Sequence, residues 1–148
     1  VFTPQLRKRA KELDMTIHQV LTLASIIEKE TGAPHERPLI SAVFHNRLHQ
    51  NMKLQTDPTV IYGIEAFDGN LTRKDLREET PYNTYVIKGL PPGPIASPGL
   101  AAIKAVLFPA DTNYLFFVSK NDGSHHFSRT LKEHNKAVFQ YQKKGRQS

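Results

Sequence analysis

Apolar and polar positions follow two periods along this chain, and the switch between them outlines a fold. Ile17, Val20, Leu21, Leu23, Ala24, Ile26 and Ile27 form a nearly unbroken apolar stripe, the mark of a helix buried on most of its sides. Thr16 and Gln19 have the spacing of a capping box at its start. The helix is expected to run to about Thr31 and to stop at Gly32, with Pro34 preventing continuation. Leu39, Ile40, Val43, Phe44, Arg47 and Leu48 recur three and four apart, which predicts an amphipathic helix over roughly 37–50. These two helices are expected to form an antiparallel pair. A short basic helix over 5–13 precedes both.

The rest of the pattern is shorter in period. Residues 51–63 begin as a polar loop, and Thr56 or Asp57 can cap a short helix with Pro58 at its first position. Residues 65–81 read as a surface excursion with a helical turn near Arg73–Arg77. The prolines between Gly89 and Gly99 forbid helix and predict a stiff extended segment, a wall rather than a linker. Leu100–Leu107 should be helical. Tyr114–Ser119 should be a strand, returning through Asn121-Asp122-Gly123 as His125–Ser128. A last helix over 131–144 is expected to turn Leu131, Val138 and Tyr141 inward. The fold class is therefore α+β, mostly helical with a small antiparallel β-sheet, in one domain over 1–148.

Composition narrows the class. Of 148 residues 39% are hydrophobic, enough for a core, and no run approaches the ~18 apolar residues of a spanning helix. The chain opens without Met, and it is expected to be a piece of a longer protein. The net charge of +6 suits an acidic polymer or a solvated basic face. There is no cysteine, which excludes disulfides, thiolate metal sites and cysteine nucleophiles.

The candidate chemistry sits at the end of the apolar stripe. Glu28 and Glu30 each lie about 80° from its mean direction, on opposite edges, so periodicity does not choose between them. Acids there oppose the helix dipole, and an ion pair with a neighbouring helix is the structural alternative. An acid held against apolar walls instead keeps its proton to higher pH and can donate it. Asp57 is a further carboxylate whose structural role is a helix cap. His125 and His126 are adjacent on a strand and point to opposite faces, so no shared metal ion is expected; one of them, facing a cleft, can contact a substrate. No nucleophile elbow or phosphate-cradling loop is present. Tyr82 and Tyr85 beside Lys88 could stack bases, but no nucleic-acid-binding signature accompanies them.

Several blocks carry a resemblance. Leu23-Ala24-Ser25-Ile26-Ile27-Glu28-Lys29-Glu30-Thr31, Val43-Phe44-His45-Asn46-Arg47-Leu48 and the run from Met52 through Gln55-Thr56-Asp57-Pro58 to Gly63 resemble the endolytic murein transglycosylases of the YceG-like family. So do Pro81-Tyr82-Asn83-Thr84-Tyr85, Gly89–Ile95, Ser97-Pro98-Gly99 and His126-Phe127-Ser128, in family order over about residues 20–140.

The resemblance implies a YceG-like catalytic domain that cuts peptidoglycan glycan strands endolytically, separated from the family's N-terminal membrane anchor and LysM-like region. One protonated Glu donates to the oxygen between MurNAc and GlcNAc, the MurNAc 6-hydroxyl attacks its own anomeric carbon, the same Glu returns as base to take the hydroxyl proton, and a 1,6-anhydro end forms without water. A single acid suffices, unlike ordinary glycosidases. Lysozyme-like lytic transglycosylases carry an Ile-Ile-x-x-Glu-Ser-Gly run, which favours Glu30 here, with Glu28 the alternative. The resemblance further implies that Gln55, Thr56, Asp57, Tyr82, Asn83, Tyr85, Ser97 and His126 bind substrate. It implies no cofactor or metal, cell-wall synthases as partners, no nucleic acid, and a place on the extracytoplasmic side of the cytoplasmic membrane, terminating nascent strands. A non-catalytic peptidoglycan-binding module that regulates a synthase is the alternative.

Overall fold

The computed structural model describes residues 2–30, 33–64 and 67–143. Seven α-helices and one β-hairpin follow one another among them: α1 (Pro4–Glu12), α2 (Ile17–Glu30), α3 (Arg37–His49), α4 (Asp57–Tyr62), α5 (Arg73–Arg77), α6 (Leu100–Leu107), β1 (Phe116–Ser119), β2 (His125–Ser128) and α7 (Leu131–Val138). A 3₁₀ turn over Pro34–Glu36 leads into α3, and a π turn over Phe139–Lys143 follows α7. The expected end of α2 at Thr31-Gly32 lies outside the described residues.

Helix α2 is the axis of the molecule. Its capping box forms as the spacing predicts: Thr16 Oγ1 accepts from Gln19 N at 3.1 Å, and Gln19 Oε1 accepts from Thr16 N at 2.9 Å. Every residue from Thr22 to Ile27 is buried. Its main partner is α6, whose Ala102, Ile103, Val106 and Leu107 join Leu23, Ala24, Ile26, Ile27 and Phe44 in the core. This corrects the expected α2–α3 pair: α3 meets α2 over only a short stretch and packs more on α6. Small residues on α6, Ala102 and Ala105, let it approach the buried stretch of α2, and α3 packs against both. Helix α1 closes the layer with Leu6 and Ala10, and Arg9 Nε donates to Leu107 O at the end of α6 at 2.7 Å.

The proline-rich segment is a wall laid along α2, outside the cleft that holds Glu30. His18 Nε2 donates to Pro92 O (2.6 Å), Ser25 Oγ accepts from Ile95 N (2.9 Å), and Glu28 Oε1 accepts from Gly99 N (2.7 Å). Three polar groups along α2 thus satisfy a chain that cannot hydrogen-bond to itself.

The hairpin is docked by α3. Asn46 donates to Thr112 O and Tyr114 O, both at 2.9 Å, and Arg47 Nε donates to Leu115 O at 2.7 Å. β1 and β2 pair antiparallel with Phe117 opposite Phe127 and Ser119 opposite His125. In α7, Ala137 is buried and His134 half-buried, while Leu131 is exposed, contrary to its expected inward position. The cap Thr130 starts the helix one residue before Leu131 and sets that phase. No helix among the described residues is long and apolar enough to cross a membrane.

Candidate active site

The end of α2, the loop before α4, the loop carrying Tyr85, and the hairpin converge on a cleft of about 380 Å³. Glu30 lies in it together with Gln55, Thr56, Asp57 and Tyr85, joined by Arg47, Phe117, Ser119, His125 and His134.

Glu30 is partly buried, and its carboxyl pKa is raised. Desolvation by burial is the largest cause, and the negative charge of Asp57 adds to it. Two smaller influences oppose: a hydrogen bond from Thr56 and the charge of His125. Thr56 Oγ1 donates to Glu30 Oε2 at 2.6 Å. Thr56 is also the N-cap residue of α4 by position, yet its side chain makes no cap bond. Asp57, one of the two expected caps, is the first residue of the helix instead. It accepts a hydrogen bond from Tyr85 Oη at 2.7 Å. Burial, then Asp57 as acceptor and charge, pushes the Tyr85 phenol well above its ordinary range, so it stays a donor.

The loop geometry follows from one buried threonine. Thr84 Oγ1 accepts from Thr56 N (2.9 Å) and contacts Thr59 Oγ1 (2.8 Å), and Thr84 O accepts from Gln55 N (3.2 Å). Gln55 is held at φ +53°, a left-handed backbone that non-glycine residues adopt rarely. Asn83 is wholly buried; its amide donates to Asp75 O, Leu76 O and Glu78 O, and its oxygen accepts from Tyr85 N. Asn83 therefore positions Thr84 and Tyr85 and does not reach the cleft.

Three other expected binding residues lie outside this cleft. Tyr82 packs on the core and against Tyr62, with ring centroids 4.7 Å apart. Ser97 is exposed beside the start of α6. His126 turns to the other face of the hairpin and lies 5.8 Å from the Tyr141 ring; its neighbour His125 faces the cleft. Glu28 is spent on structure, bonded to Gly99 N and 3.9 Å from Arg37 Nη2. Arg47 belongs to the helical stripe and to the Val43–Leu48 block, and neither predicts its place in the cleft. Its guanidinium donates to Leu115 O and Lys53 O and lies 5.1 Å from the Phe116 ring centroid, tying α3, the hairpin and the loop before α4. Among the described residues, no group of three or more ligating side chains could hold a metal ion.

The model of the YceG-like family matches residues 1–140. The chain belongs to the YceG-like family. Across 135 residues it is 44% identical to an endolytic murein transglycosylase of Bacillus subtilis (strain 168), covering 91% of this chain and 38% of that protein. An endolytic murein transglycosylase of Streptococcus pneumoniae (serotype 2, strain D39) is 31% identical over 137 residues, 88% of this chain and 25% of its own length. A crystal structure of a YceG-like protein from Listeria monocytogenes superposes with a TM-score of 0.81 at 44% identity, over 90% of this chain and 43% of that one. This YceG-like chain thus spans less than half the length of the relatives it matches, and the expected α+β class, mostly helical with a small antiparallel sheet, is the one found.

Proposed function

We propose that this YceG-like chain is a catalytic domain, formed by residues 1–148, that cleaves peptidoglycan glycan strands as a lytic transglycosylase, with Glu30 as its acid. The observation that carries the reading is the state of Glu30, a carboxyl whose burial raises its pKa at the bottom of a polar cleft. Such a group is protonated at a pH where an exposed Glu is not, and can donate to a glycosidic oxygen. The names of the relatives, both endolytic murein transglycosylases, supply the polymer.

In this reading the Thr56 hydroxyl occupies Glu30 Oε2, so Oε1 carries the proton. Glu30 protonates the bridging oxygen between MurNAc and GlcNAc as that bond breaks, and the MurNAc 6-hydroxyl closes on the anomeric carbon to leave a 1,6-anhydro end. Asp57, held by Tyr85, places a negative charge where the oxocarbenium-like carbon develops positive charge. Gln55, which lines the cleft from a left-handed backbone position, serves as a hydrogen-bonding contact for the sugar. Strand termination at the extracytoplasmic face of the cytoplasmic membrane, beside cell-wall synthases, is the setting in which such a cut operates. The mass of the products released from purified glycan strands tests the reading, because a transglycosylase adds no water.

A further inference from the structure

His125 lines the cleft and is paired behind it with a carboxylate that the single-acid scheme does not use. Glu36 is a carboxylate only 5% exposed, in the 3₁₀ turn between α2 and α3. Both of its oxygens are given to one residue: Oε2 accepts from His125 N at 2.9 Å and Oε1 accepts from His125 Nδ1 at 2.8 Å. The imidazole is further fixed by an edge contact with Phe117, ring centroids 5.4 Å apart. A carboxylate on Nδ1 selects the tautomer with its proton there, leaving the lone pair on Nε2. His125 lines the same cleft as Glu30, near enough for its charge to act on that carboxyl.

We propose that His125, oriented by Glu36, is a second catalytic group: the base that takes the proton from the attacking hydroxyl. The proposal rests on the transglycosylase reading above and divides its acid and base roles between two residues. The O6–H bond of MurNAc breaks toward His125 Nε2 as the O6 lone pair bonds to the anomeric carbon. The bond from that carbon to the bridging oxygen breaks, its electron pair goes to the oxygen, and the Glu30 proton joins it there. Glu30 ends as a carboxylate and His125 as an imidazolium stabilised by Glu36. The proton passes back between turnovers, so neither water nor a cofactor is consumed. Glu36 is a positioning residue in this scheme, acting through the imidazole as the buried carboxylate of a catalytic triad does.

The test is steady-state cleavage of purified glycan strands by the wild type, His125→Gln, His125→Gly and Glu36→Gln. The expected result for His125→Gln is a fall in kcat of about 10²-fold or more with KM little changed. Added imidazole restores part of kcat to His125→Gly and none to Glu30→Gln. Glu36→Gln lowers kcat with KM little changed, a split that a merely structural loss would not give. A His125→Gln variant with wild-type kcat, an effect on KM alone, or a folded His125→Gly that imidazole does not rescue overturns the proposal. Wild-type protein that releases water-containing ends overturns the transglycosylase reading itself, and the base role of His125 toward O6 falls with it.

Discussion

Thr56 gives its hydroxyl to Glu30, at 2.6 Å, in place of capping its own helix. A cap of this kind is worth about 1 kcal/mol, so the loop before α4 forgoes local stability to hold a carboxyl on another element. The backbone accommodates this because Thr56 N is satisfied by Thr84 Oγ1. The bond favours the charged form of Glu30 and is outweighed by burial.

Replacing Thr56 by Val removes that donor while keeping the shape. The carboxyl pKa then rises further, and the alkaline limb of the activity profile moves to higher pH. Activity at its optimum is expected to fall about tenfold, by the ~1.4 kcal/mol that a charge-directed hydrogen bond contributes. A pH–rate profile of the variant measures both.

Glu30→Gln is expected to lower activity by about 10²–10⁴-fold and to stabilise the fold at neutral and alkaline pH. The folded-state pKa of Glu30 is raised above its unfolded value. The stability contributed by burying the protonated acid is therefore fully present below the unfolded pKa and is lost as pH rises through the folded one. Gln never ionises, so the Tm difference between variant and wild type should widen with pH. An active-site replacement of this type adds about 1 kcal/mol, or roughly 2–4 °C in a chain of this size. Thermal melts across pH check it.

Glu28→Gln separates the two glutamates. Glu28 ties the end of α2 to the first turn of α6 through Gly99 N and stands 3.9 Å from Arg37. Its loss is expected to cost about 1 kcal/mol of stability, with strand cleavage retained. Denaturant unfolding and the cleavage assay together read this out.

Much of the fold is legible in the hydrophobic pattern, and the reasons are local. The capping box of Thr16 and Gln19, the turn at Arg73–Arg77, the limits of α6 and the hairpin each depend on contacts within a few residues. The partner of α2 is not legible, since the apolar stripe is broad enough to take α6, α3 and α1 together and its period does not choose among them. Within the site, Glu30, Gln55, Thr56, Asp57 and Tyr85 come together in the cleft. Asn83, Tyr82, Ser97 and His126 do not, because a residue type that can bind sugar can equally hold a loop or pack on a core. His125 had a readable signal: once Phe127 is assigned to the core, strand alternation puts His125 on the same face and His126 on the other. For Arg47 the Val43–Leu48 block marks the position but not the role, which depends on carbonyls up to 68 positions away.

Asn83→Ala tests the support beneath the site. The buried amide satisfies three carbonyls and one N–H, and leaving them unpaired is expected to cost about 2–4 kcal/mol. The loss should appear as a lower denaturation midpoint, with Thr84 and Tyr85 losing hydrogen-exchange protection first.

The central claim is that Glu30 donates a proton in a cleavage that consumes no water. Mass spectrometry of glycan strands digested in ¹⁸O-labelled water by wild type and Glu30→Gln tests it most directly. The wild type is expected to release 1,6-anhydro ends without ¹⁸O and the variant to leave strands intact. Ends carrying ¹⁸O, or anhydro ends formed equally by Glu30→Gln, would contradict it.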